Sequence, residues 1–223
     1  MTISPASFLV IVNPDPAFQL LTQRNVVFTG VEATGDEASF VDSYGNITVC
    51  GPEAAALASY LTQHSLWAFL SPTVRGRTVV YEQRSEALGQ QGLALLANRL
   101  SDELACAVFA VQNVENEIFW YKLYVGGLLI DEYTAACNPY RPGDAGALCA
   151  ALGVAHQVAA VADILAAWCW SVSRYERTAA RHQDLVNALD LPIYSVGVGY
   201  RLLSGGNVPR QISLGDFRRV APE

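Results

Sequence analysis

Apolar positions alternate with polar ones, or gather in short runs, through the first part of the chain. FLVIV at 8–12, NVVFTGV at 25–31, ASFVDSY at 38–44 and NITVC at 46–50 read as strands. Tyr44, Gly45 and Asn46 form a turn-prone cluster that joins the last two. The period changes after Gly51 and Pro52. Leu57, Ala58 and Leu61 take helical spacing up to about Gln63, with proline at the first helical position and Glu53 in the first turn.

The same pattern returns further along. Leu57, Ala58, Leu61 and Thr62 match Leu96, Ala97, Leu100 and Ser101, and with the same offset TVVYE at 78–82 falls on EIFWY at 117–121. This predicts a repeated helix–strand–strand element over 53–83 and 92–122, in which two helices lay Leu and Ala stripes on one face of an antiparallel sheet. Chance similarity between two amphipathic helices is the competing account.

From residue 144 to 190 the pattern is helical. Asp144 is placed to cap a short helix ending at Gly153, and the nearly uncharged run to Val172 predicts a helix over 154–172 that is apolar almost all round and buried. Membrane insertion of that run is opposed by Gly153, His156, Gln157 and above all Asp163, since a mid-span carboxylate costs about 3 kcal/mol. Ser173 and Glu176 have capping-box spacing ahead of RYERTAARHQDLVNALD, which stops before Pro192. IYSVGVGYRLL at 193–203 reads as a returning strand. The expected architecture is one α+β domain over 1–223, with a predominantly antiparallel sheet and helices packed on one face.

Composition narrows the function classes. Hydrophobic residues make up 52% and charged residues 16%, too apolar for a disordered chain. A net charge of -7 opposes long-range attraction to nucleic acid or anionic lipid, so neither is an expected partner. Arg174, Arg177 and Arg181 align on one helical face, which reads as solvated. One lysine against thirteen arginines fits a GC-rich bacterial source. Cys50, Cys106, Cys137, Cys149 and Cys169 contain no CxxC pair, and MTISPASFLVIVNPDP has no basic leader segment; both suit a reduced, cytoplasmic protein. His64, His156 and His182 fall on separate elements without HExxH spacing, so no metal is expected. No cofactor is expected either, because Walker, GxSxG and dinucleotide fingerprints are absent.

Candidate chemistry gathers in IFWYKLYVGGLLIDEY, 118–133. A two-residue loop at Gly126 and Gly127 pairs Val125 with Leu128 and, counting outward, Lys122 with Asp131 and Trp120 with Tyr133. Alternation then displays Trp120, Lys122, Tyr124, Asp131 and Tyr133 on one face and packs Phe119, Leu123, Val125, Leu128 and Ile130 on helices. A cation and a carboxylate among aromatic rings form a platform for a planar ligand or a partner's polar group. They equally form cross-strand pairs that stabilise a hairpin unaided. The loop TAACNPYRPGDAG, 134–146, adds Asn138 and Arg141 as binding candidates and Cys137 as a nucleophile, with His182 its best-placed base. Asp131 and Glu132 are the carboxylate alternative. A core position is the ordinary reading of His182.

The WYxLY hairpin, DEY, the cysteine-containing loop and the RH…LP…GY pattern, spread over Ala94 to Pro209, resemble those of uncharacterised bacterial proteins. That resemblance implies a soluble bacterial protein and assigns no activity. Three functions follow in order: a binding or regulatory protein using 118–133 and 134–146, for a protein or small-molecule partner; a small cytosolic hydrolase or transferase; and a structural subunit of an assembly, including a homo-oligomer.

Overall fold

The computed structural model describes residues 43–135, 141–166, 178–208 and 213–222. The expected strands at 8–12 and 25–31, nearly all of that at 38–44, the 173–176 capping pattern, and Cys137, Asn138, Cys169, Arg174 and Arg177 lie outside them. The described residues all belong to one compact unit, Ala38–Glu223; the expected single domain over 1–223 extends beyond them.

In chain order the elements are β1 (Tyr44–Cys50), α1 (Ala54–Gln63), β2 (Ala68–Leu70), β3 (Arg77–Glu82), α2 (Gln83–Ala87), α3 (Gly89–Glu103), β4 (Ala107–Val114), β5 (Ile118–Val125), β6 (Leu128–Ala135), β7 (Arg141–Pro142), α4 (Ala145–Ala151), α5 (Val158–Ala166), α6 (Thr178–Ala188), α7 (Tyr200–Ser204) and β8 (Arg218–Val220). The described strands form one sheet in the order β7-β6-β5-β4-β1-β3-β2-β8, with every pairing antiparallel. The fold is therefore α+β.

The repeated element order is present as α1–β2–β3 and α3–β4–β5. The matched Leu57, Ala58 and Leu61 and Leu96, Ala97 and Leu100 are all buried in one cluster, against Ile47, Val49, Val108, Ala110, Trp120 and Tyr124 of the sheet. Each such leucine contributes about 1.5–3 kcal/mol by leaving water. The copies join β1 differently, the first through its second strand and the second through its first. Helices are not confined to that face. Because alternate strand residues point the other way, Phe109, Val111, Phe119, Tyr121, Leu123 and Tyr133 need a second cover, which α4, α5 and α6 supply through Leu148, Val161, Leu165, Leu185 and Val186. Arg77 ties this layer to β3, donating to the Leu152 carbonyl at 2.8 Å and to that of Asp190.

Three local expectations change. Tyr44 to Asn46 continue β1 rather than turn, because Leu93 packs where a Gly45 side chain would stand, with Cδ1 2.7 Å from an added Cβ. The 193–203 segment is a 3₁₀ turn, a bend and α7 rather than a strand. The Asn46 amide donates to the carbonyls of Ser195 (2.7 Å) and Val198 (2.9 Å), which ties this segment to β1 through a side chain instead of a ladder. Finally, α5 buries Val161, Ile164 and Leu165 while its alanines and Asp163 face outward, so it is one-sided rather than buried all round. Among the described residues no helix is long and apolar enough to cross a membrane.

Candidate functional site

The β5–β6 hairpin begins as its glycines require. Gly126 and Gly127 both take positive φ (55° and 77°), and α3 holds the turn: Asn98 Nδ2 donates to the Gly127 carbonyl at 2.5 Å and Gly127 N–H donates to Ser101 Oγ at 3.1 Å. Val125 pairs with Leu128 and Tyr124 with Leu129, as expected. The register then shifts. Leu123 faces Asp131, Lys122 faces Glu132, Tyr121 faces Tyr133 and Trp120 faces Thr134, leaving Ile130 as the extra residue of a bulge. The expected Lys122–Asp131 and Trp120–Tyr133 pairs do not form.

The bulge divides the expected platform between the two faces. Lys122 stays with Trp120 and Tyr124 beneath α3 and pairs with Glu132 at 3.5 Å, its ammonium 6.0 Å from the Trp120 ring centroid. Trp120 and Tyr124 are buried there, and Lys122 and Glu132 are half-buried, so this face is a packed layer rather than an open ligand surface. Asp131 and Tyr133 point to the opposite face. Asp131 accepts from Tyr121 Oη at 2.7 Å and from Asp144 N–H at 3.0 Å, partners that a regular register would deny it. Burial raises its pKa, and these hydrogen bonds oppose the rise only in part. With Asp131 and Glu132 facing opposite ways, they cannot share one reacting atom. Arg141 contributes its backbone to β7 opposite Thr134.

Beside Asp131 runs a buried polar chain that the spacing of residues did not reveal. Tyr121 stacks on Tyr133 at 5.4 Å, Tyr133 Oη donates to the Leu165 carbonyl at 3.1 Å, and Arg181 donates to Tyr133 Oη with its guanidinium 5.8 Å from that ring. Arg181 is thus a core residue, not part of a solvated face. Its neighbour His182 is fully buried between Tyr44 and Phe119, with Nδ1 2.8 Å from Tyr44 Oη. Burial pushes the Tyr44 hydroxyl well above the usual tyrosine range, and a Gly197 backbone hydrogen bond offsets that only in part. Tyr44 and His182 thus share one hydrogen bond through Nδ1, and His182 Nε2 has no hydrogen-bond partner among the described residues. Burial lowers the His182 pKa to about 3. A neutral ring sealed from solvent serves packing, and the core reading of His182 stands. Among the described cysteines, burial pushes the thiols of Cys50, Cys106 (to about 11) and Cys149 up, opposite to what a nucleophile needs. No group of three or more His, Cys, Asp or Glu residues suited to a metal occurs among the described residues.

What the hairpin does expose is its tip. Leu128, Leu129 and Ile130 are 70%, 45% and 40% exposed and consecutive. β7 covers β6 only at Tyr133 and Thr134, so no described strand lies beyond these three. No protein-family model, curated protein or solved structure matches the chain.

Proposed function

We propose that this protein is a cytosolic bacterial binding module that engages an extended apolar segment of another protein along the outer edge of the β5–β6 tip. The observation that carries the reading is the run of three exposed aliphatic residues on an edge strand without a described neighbour. Sheet edges are normally guarded by charge, proline or short length, because free backbone donors and acceptors recruit further strands. An apolar edge held firmly by Asn98 and Ser101 suits strand addition, with backbone hydrogen bonds giving affinity and Leu129 and Ile130 giving selectivity. The cytosolic setting rests on the cysteine pattern.

A displayed random-peptide library, selected on the full chain, tests this. Enriched peptides should alternate apolar residues and lose binding to a Leu129→Lys/Ile130→Lys variant that retains its circular dichroism spectrum. Enrichment of nothing, or of peptides indifferent to those substitutions, refutes the reading. Light scattering alongside reports whether a second copy occupies the edge instead.

A further inference from the structure

The opposite end of the sheet carries a different surface. β8 is the terminal strand, and among the described strands it pairs only with β2, with Arg218 opposite Leu70 and Arg219 opposite Phe69. Both arginines are exposed, and alternation places them on opposite faces of the edge. The Arg219 guanidinium lies 5.6 Å from the ring centroid of Trp67, which is 40% exposed. Arg84, also exposed, begins next to it, since Gln83 N–H donates to the Trp67 carbonyl at 3.0 Å. The ion pairs of the described residues engage His64, Arg75, Arg77, Arg99 and Lys122, and none of these pairs engages Arg84, Arg218 or Arg219. The carboxylates flanking Arg84 are turned inward: Glu82 caps α2 through the amides of Arg84 and Ser85, and Glu86 accepts from the Arg201 amide; Asp216, two residues before Arg218, is exposed and accepts from the Ser213 N–H.

A chain of net charge -7 thus concentrates, at one sheet edge beside an exposed indole, arginines that form no ion pair among the described residues. We propose that the β8 edge docks an extended acidic segment of a partner protein. The added strand pairs with the outer backbone of β8. Two successive carboxylates on it meet Arg218 on one face and Arg219 on the other. Trp67 holds the Arg219 guanidinium by its ring face and leaves the N–H fork directed at a carboxylate, so little side-chain freedom is lost on binding. A nucleic acid would meet the same arginines, but it gains nothing from a strand edge and is repelled by the remaining surface. This surface is separate from the β6 tip and does not rest on the reading given for it.

Fluorescence anisotropy of the full chain with three labelled probes decides the matter: an extended peptide of Glu-Glu pairs spaced by valines, the same peptide with Lys for Glu, and oligothymidylate. Saturable binding of the acidic peptide is expected, with none of the basic one. Raising salt from about 50 to about 300 mM should weaken it markedly. Arg218→Glu/Arg219→Glu should weaken it by about tenfold or more, and Trp67→Ala by a smaller factor, since charge-assisted pairs carry the recognition. Leu129→Lys/Ile130→Lys should leave it unchanged. Absence of saturable acidic-peptide binding, equal binding by the double-Glu variant with an unchanged circular dichroism spectrum, or tighter binding of oligothymidylate overturns the proposal.

Discussion

Acidification should weaken this fold through His182. In the folded chain the ring is fully buried and its pKa is lowered to about 3 by burial, whereas the unfolded chain takes up this proton near pH 6.5. Between those values the unfolded state binds one more proton than the native state, so stability falls as pH falls through 6.5 and stops falling near 3. The slope is about 1.4 kcal/mol per pH unit, or roughly 3 kcal/mol between about pH 6.5 and about pH 4.5. That is a large part of the roughly 5–15 kcal/mol typical of a domain. Asp131 and Glu86 act in the opposite sense. Burial raises their pKa values, so the native state takes their protons first and regains some stability at the lower end. The assay is therefore a difference: urea unfolding of the chain and of Tyr44→Phe/His182→Phe from about pH 7.5 to about pH 4.5. The double variant removes donor and acceptor together while keeping rings beside Phe119, a change that is nearly neutral when shape is kept. His64 and His156 are common to both proteins. The unsubstituted chain should lose roughly 3 kcal/mol relative to the variant across that range. Parallel stability curves refute the assignment of a neutral, buried His182.

Other outcomes follow from the hairpin and its surroundings. Trp120→Ala should cost about 3–5 kcal/mol in urea unfolding because Trp120 is core beneath α3, whereas Lys122→Ala should cost less than about 1 kcal/mol, the worth of a half-exposed pair; the reverse order would restore the open platform. Tyr121→Phe deletes one donor to Asp131 and should cost about 1–3 kcal/mol at neutral pH. That penalty should shrink as pH falls and Asp131 takes its proton, which carbon-detected NMR titration of the carboxyl can follow. Gly143→Ala meets both a positive φ of 72° and the Tyr121 hydroxyl 2.6 Å from the new Cβ, and should lower stability by about 2–4 kcal/mol in thermal melts.

Elements with a strong period were legible: the Leu57 and Leu96 helices, the Gly126–Gly127 hairpin loop, and the Asp144 cap, whose carboxylate accepts from Ala147 N–H. What failed depended on partners distant in sequence. A single inserted residue at Ile130 leaves the composition of the strand unchanged yet turns Asp131 and Tyr133 to the other face, and the groups that hold Asp131 there include the Asp144 amide beyond the next loop. Arg181 carries every surface mark of an exposed helical arginine, and its bond to Tyr133 across the core reveals otherwise. Tyr44 reads as a turn residue because its partner His182 lies 138 positions away. Aromatic content was informative about where rings cluster, not about which side of the sheet they occupy.

The strand order has a consequence for biosynthesis. A ribosome releases β1 through β6 before β8, yet β2 completes its hydrogen bonding only when Arg218–Val220 arrives. Throughout that interval the nascent chain presents an unfinished margin at Ala68–Leu70, a short apolar strand of the kind that attracts chaperones or neighbouring nascent chains. Closure of this margin is thus coupled to synthesis of residues 218–220, a strand addition between segments far apart in the chain, of the kind that is intrinsically slower than hairpin formation.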